Sequence, residues 1–215
     1  MKKVILFQGD SITDSQRNRE NDGYAGAGYA TMVSGALGAA EPYQYTFYNR
    51  GISGNRVVDL YARIRADMIN LKPDYISILI GINDVWHERV AGNGVAAPKF
   101  EMVYNLLVEE LKQELPGVKI MLLEPFVLPG AATKNCEEFP DRWDYFAKET
   151  ALRAEATRRV AEKQGVLFVP LQEMFDKANA DAPTDDYWLA DGVHPTPAGH
   201  ELIKREWLKT FETIK

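Results

Sequence analysis

Five residues at four separated places in the chain have the chemistry of acyl transfer. Ser11 follows Gly9-Asp10, and its hydroxyl is a candidate nucleophile. A serine needs a base, and the sequence holds only three histidines: His87, His194 and His200. His194 sits in Asp191-Gly192-Val193-His194-Pro195, where a carboxylate three positions ahead can orient an imidazole. The acid would hold the ring tautomer and the ring would take the serine proton. Pro195 and Pro197 restrict that turn. Gly51 offers an unobstructed backbone N–H and Asn83 a side-chain amide, the donors a developing oxyanion needs.

For these residues to meet, the elements between them must bring the four places to one edge. Short apolar runs alternate with longer helical patterns. Strands are predicted at Val4–Gln8, Tyr45–Asn49, Tyr75–Ile80, Lys119–Leu123 and Val166–Val169. Helices are predicted over 24–40, 57–71, 100–115 and 141–163, with a short one after the fifth strand and a last one opening at Thr196-Pro197. Strand and helix in alternation imply a parallel sheet covered on both faces. The expected fold is therefore an α/β, three-layer α/β/α sandwich over one domain, 1–215, with a flavodoxin-like strand order 2-1-3-4-5. In that order the ligand crevice lies at the carboxyl ends beside the first strand. The first three strands end in Gly9-Asp10-Ser11, Asn49-Arg50-Gly51 and Gly81-Ile82-Asn83-Asp84, so Ser11, Gly51 and Asn83 would converge there.

Gly9-Asp10-Ser11-Ile12-Thr13-Asp14, Gly51-Ile52-Ser53-Gly54-Asn55, Gly81-Ile82-Asn83-Asp84 and Asp191-Gly192-Val193-His194-Pro195 resemble, in order, the four blocks of the SGNH (GDSL-type) esterases. The resemblance covers essentially the whole chain. It implies ester hydrolysis through an acyl-enzyme. Ser11 would be the nucleophile, His194 the base and Asp191 its orienting acid. The Ser11 N–H, the Gly51 N–H and the Asn83 side chain would form the oxyanion hole. No cofactor is implied. Isoleucine stands at position 12 where the family motif has leucine, an apolar exchange that leaves the chemistry intact. Within the family, the wording around Asn49–Asn55 and Gly81–Trp86 is similar to bacterial carbohydrate esterases, above all acetylxylan esterases without a signal peptide, which are often oligomeric. The expected reaction is removal of short acyl groups, acetyl above all, from a carbohydrate. A lysophospholipase or thioesterase on the same scaffold is the alternative, and a catalytically silent binding protein is the alternative of another class.

Other residues have competing readings. Asp10, Arg56, Trp86 and Trp188 are candidates for substrate contact, Arg56 being equally able to pair with a nearby acid and the tryptophans to pack in the core. Asp14 and Asp84 read as backbone-bonding residues of their turns. Ser53 is a rival nucleophile, but its surroundings lack the Gly-x-Ser-x-Gly elbow. His200 competes as the base, but it falls in the last helix and reads as packed or solvated. His87-Glu88 is followed by Ala91, not by a second histidine, so no helical zinc pair forms and no metal is expected. Residues 92–97 match Gly-x-Gly-x-x-Ala without following a strand and read as a loop.

Composition narrows the partners. The chain has 215 residues, 25 Lys and Arg against 31 Asp and Glu, and a net charge of −6. With no basic block, nucleic acid and anionic membranes are not expected partners. A single cysteine, Cys136, excludes an internal disulfide. The apolar run after Met1-Lys2-Lys3 extends only from Val4 to Phe7, too short for a signal peptide, and a cytoplasmic location is expected.

Overall fold

In the computed structural model, which describes residues 2–215, five parallel strands form one sheet. They are β1 (Lys3–Gly9), β2 (Tyr45–Asn49), β3 (Tyr75–Leu79), β4 (Lys119–Leu123) and β5 (Leu167–Val169), in the order β2-β1-β3-β4-β5. The central β1 pairs on both sides. Phe7 stands opposite Asn49 of β2, and Gly9 opposite Leu79 of β3. The pleat sends alternate side chains to opposite faces. Ile5 and Phe7 therefore enter one core with Tyr29, Trp207 and Phe211, while Leu6 enters the other with Val57, Leu60 and Tyr104. All five residues of β3 are buried, as a strand covered on both faces requires.

Helices fill both outer layers. They are α1 (Ser11–Asp14), α2 (Tyr29–Ala40), α3 (Val57–Ala62), α4 (Ile64–Asp67), α5 (Ile82–Ala91), α6 (Ala97–Glu114), α7 (Arg142–Gln164), α8 (Gln172–Ala180) and α9 (Pro197–Phe211). Pro98 and Pro197 stand at the first turns of α6 and α9, where a missing N–H costs nothing. Among the described residues no helix is long and apolar enough to cross a membrane.

The structure departs from the sequence expectations in two of the predicted helices, and α5 (Ile82–Ala91) lies outside all of them. The helix expected from residue 24 starts at Tyr29. Residues 24–28 spend their backbone on other partners: the Ala25 carbonyl accepts from Asn49 Nδ2 at 2.7 Å, and the Ala27 N–H donates to the Ser15 carbonyl at 2.8 Å. The helix expected over 57–71 is broken into α3, α4 and a 3₁₀ turn at Ile69–Leu71. The first break falls at Arg63, whose backbone leaves the helical region (φ −110°, ψ 15°).

Candidate active site

The ends of β1, β2 and β3 each deliver one candidate group, and each delivery has a local cause. After β1 the chain turns at Asp10, whose side chain caps α1 by accepting the Ile12 N–H at 3.0 Å. Ser11 is thereby the first residue of a helix, so its own N–H has no intrahelical acceptor. After β2, Gly51 packs so closely on α1 that a Cβ would collide with the backbone of Thr13 and Asp14. Its N–H donates to Asn49 Oδ1 at 2.9 Å, while Asn49 Nδ2 donates to the Thr13 carbonyl at 2.6 Å. The donor expected to be open therefore already has a partner inside its own turn. After β3, α5 begins directly and places Asn83 in its first turn. One Asn83 Nδ2 proton goes to the Asn55 carbonyl at 3.2 Å, which leaves the second for another acceptor.

The opposite wall is the turn before α9. It is closed by the Leu189–Pro195 bridge and by the Ala190 N–H donating to the His194 carbonyl at 2.8 Å. Gly192 has φ +99°, a conformation that favours glycine. Segment 128–132 grips this turn: Leu128 N–H donates to the Gly192 carbonyl and Ala132 N–H to the Asp191 carbonyl, both at 2.9 Å.

Across the gap, Ser11 Oγ lies 2.9 Å from His194 Nε2, and His194 Nδ1 lies 2.7 Å from Asp191 Oδ2. Because the carboxylate accepts only, the partners assign the proton to Nδ1 and leave Nε2 free to accept from the serine. Asp191 Oδ1 accepts two more N–H groups, from Val193 at 2.9 Å and His194 at 2.8 Å. Burial alone would raise the Asp191 carboxyl, but the His194 ring and these two backbone donors outweigh it and hold the pKa at about 2. The same bond from Asp191 raises the His194 imidazole above its ordinary value, against partial burial. Ser11 and His194 open onto a cavity of about 450 Å³, also lined by Asp14, Gln16, Ser53 and Pro195.

A profile of the GDSL-like lipase/acylhydrolase family matches residues 7–202. The chain belongs to that family. It is 36% identical to an acetylxylan esterase of Geobacillus stearothermophilus over 98% of this chain and 95% of that one. Among solved structures, a GDSL-like lipase candidate from Parabacteroides merdae superposes with a TM-score of 0.90 at 36% identity, covering 99% of this chain and 97% of that one. Axe2, an acetylxylan esterase from Geobacillus stearothermophilus, superposes with a TM-score of 0.82 at 34% identity, covering 96% and 93%.

Around this GDSL-like site, the remaining candidates take varied places. Asp10 does not line the cavity. It is buried below it, with Oδ2 lacking any partner, and burial pushes its carboxyl up to about 7. Arg56 is committed elsewhere, to Asp59 at 2.9 Å and to the Asn93 carbonyl and Oδ1 at 2.7 and 2.9 Å. The Trp188 indole N–H is spent on the Ala178 carbonyl at 2.9 Å. Trp86 lines a separate cleft. His200 is packed: its Nδ1 accepts the Tyr29 N–H at 3.1 Å, and burial drives its pKa down to about 4. Asp84 is fully buried and accepts the Val57 N–H at 3.1 Å, tying α5 to α3. His87 Nε2 meets the Gly54 carbonyl at 3.0 Å. Among the described residues no cluster of three or more His, Cys, Asp or Glu could hold a metal.

One residue of the site has no motif to announce it. Arg63, at the break between α3 and α4, uses every guanidinium nitrogen. Its Nε donates to Asn55 Oδ1 at 2.8 Å. Nη1 donates to the Arg50 carbonyl and Asp67 at 2.8 Å each, and Nη2 to Gln8 Oε1 at 2.6 Å and the Gly9 carbonyl at 3.3 Å. It thus ties the end of β1, the end of β2 and the Asn55 loop on which Asn83 leans.

Proposed function

We propose that this chain is a serine esterase that removes acetyl groups from an acylated carbohydrate by way of an acyl-enzyme. The observation that carries the reading is the unbroken line of hydrogen bonds from Ser11 Oγ through the His194 ring to Asp191. The acetylxylan esterase relatives, matched over nearly full length, support acetyl as the group transferred.

In the proposed reaction Ser11 Oγ attacks the ester carbonyl as His194 Nε2 takes its proton. The carbonyl oxygen becomes an oxyanion held by the Ser11 N–H and the second Asn83 amide proton. Gly51 joins them by exchanging its bond to Asn49 for one to the oxyanion. Collapse breaks the bond to the sugar oxygen, which leaves with the proton from His194. Water then attacks the acetyl-Ser11 ester, giving its proton to His194, and acetate departs as Oγ is reprotonated. Asp191 stays ionised and steadies the imidazolium.

The test is acetate release from acetylated xylo-oligosaccharides by the intact chain and by Ser11→Ala. The wild type should release acetate and bond a serine-reactive phosphonate at Ser11. Removing the nucleophile should lower kcat by at least about 10⁴, since enzymes of this kind fall by up to ~10⁶ without it. Near-normal turnover by the variant would relocate the nucleophile. Rates rising toward long acyl chains on aryl esters would replace the acetyl reading with a lipase-type one.

A further inference from the structure

A second cleft, of about 430 Å³, has no role in the chemistry above. Trp86 stands three residues beyond Asn83 on α5, so the two side chains are neighbours on the helix surface, with Cβ atoms about 5–6 Å apart. At its far wall, Ala132 donates its N–H to the Asp191 carbonyl at 2.9 Å. The cleft is thus one helical turn from Asn83 and one backbone hydrogen bond from Asp191.

Its lining combines flat apolar surface with one uncommitted cation. Trp86 is half-buried and packs against the buried Phe146, ring centroids 5.2 Å apart. Phe139 contributes an exposed edge. Arg89 at the rim is bound to both oxygens of Asp141, at 2.6 and 3.3 Å. Arg142 lies over the Phe139 ring, 4.7 Å from its centroid. Among the described residues its guanidinium makes no ion pair or side-chain hydrogen bond, although the side chain is half-buried.

We infer that this cleft is a leaving-group subsite for an acetylated oligosaccharide that carries a uronic acid. The inference rests on the carbohydrate reading given above and deepens it. A pyranose has one face of C–H groups that can cover the Trp86 ring. A carboxylate on the same glycan matches the planar fork of Arg142, which recognises that group through two parallel hydrogen bonds. A purely apolar occupant, such as an acyl chain, would desolvate the cation without giving it a partner, at a cost. A neutral sugar would leave the fork unused. With a net charge of −6 the chain as a whole repels anions, so an acidic glycan is selected by contact in this cleft and not by long-range attraction.

The experiment compares kcat/KM for acetate release from two acetylated xylo-oligosaccharides, one neutral and one bearing a uronic acid, using the intact chain, Arg142→Gln and Arg142→Lys. A charge-assisted fork contributes enough for about a tenfold preference for the acidic substrate. In Arg142→Gln this ratio should fall to about one, with the loss in KM and kcat for the acidic substrate retained. Arg142→Lys, which keeps the charge but not the fork, should lie between. Equal rates on the two substrates in the wild type, or a ratio unchanged by Arg142→Gln, would overturn the subsite. Acetate released from an aryl acetate but from neither glycan would sink the carbohydrate reading, and the subsite with it.

Discussion

The two halves of the site are built on opposite plans. The strand half, around Ser11, Gly51 and Asn83, is set in buried backbone, with Asp10, Asn49 and Arg63 filling the hydrogen-bonding needs beneath it. The turn half, Asp191 to His194, stands at the surface, and the His194 side chain keeps 47% of its exposure. In the proposed reaction one half holds donors still while charge develops, and burial in a bonded frame does that. The other half must pass protons and admit water, and a solvent-facing ring does that, provided its direction is fixed. Here the fixing falls to one carboxylate oxygen pair accepting three N–H groups. Rigidity in this site is therefore distributed in one half and concentrated in the other.

If that contrast holds, then among the groups that position the nucleophile and the oxyanion the most damaging change is on the turn. Asp191→Asn keeps the shape but disturbs the His194 tautomer, and kcat should fall by on the order of 10⁴. The pH profile separates this from misfolding. In the proposed reaction neutral His194 is the active form, and its pKa is raised by Asp191, so wild-type kcat/KM should climb with pH through a midpoint above 6.5. In the variant that midpoint should move to lower pH; an unmoved midpoint would show that Asp191 does not set the base.

On the strand side a single donor should matter less. Asn83→Ala should reduce kcat by roughly 10²–10³ with KM little changed, measured on an aryl acetate. An equal rise in KM would mean that Asn83 binds the ground state instead. Arg63→Lys loses the fork that ties three strand-end segments together. A small displacement of reacting groups lowers rates by up to about 10²-fold, so kcat should drop by roughly ten- to a hundredfold while far-UV circular dichroism stays native. A kcat equal to wild type would make Arg63 a matter of stability alone.

The smallest kinetic effect is expected at Asp10. Asparagine keeps the cap on α1 and removes a buried carboxyl. That carboxyl titrates near 7 in the fold and near 3.8 when unfolded, so its ionisation opposes folding fully above pH 7 and not at all below 3.8. Asp10→Asn should therefore raise the Tm by several degrees at pH 8, at about 2–4 °C per kcal/mol, with the gain vanishing toward pH 3.5. A Tm lowered at both pH values would show that the carboxylate is a net stabiliser.

The contrast also explains what could be read in advance. The strand order and the meeting of Ser11 with His194 and Asp191 are legible because each is announced by adjacent residues: an apolar run, a glycine turn, an Asp and His three apart. The turn half is local enough to be read almost whole. The strand half is not. Arg63 bonds to Gln8, 55 positions away, and no neighbouring residue signals it. Asn49 reads as an ordinary strand end, and only the fold shows its amide occupying the Gly51 N–H. The broken 57–71 helix follows from the same cause, since its apolar periodicity continues while tertiary bonds to Arg63 decide where it stops. Arg56 pairs with the nearby Asp59, but its second partner, the Asn93 carbonyl 37 positions away, is signalled by nothing beside it.

The serine and the imidazole that meet across the gap are 183 positions apart along the chain. A ribosome adding about 5–20 residues per second therefore exposes the hydroxyl roughly 10–40 s before the ring that would activate it. During that interval the growing polypeptide would carry an inert alcohol, because the proposed base lies just ahead of α9, the helix whose Trp207 packs on Phe7 of β1.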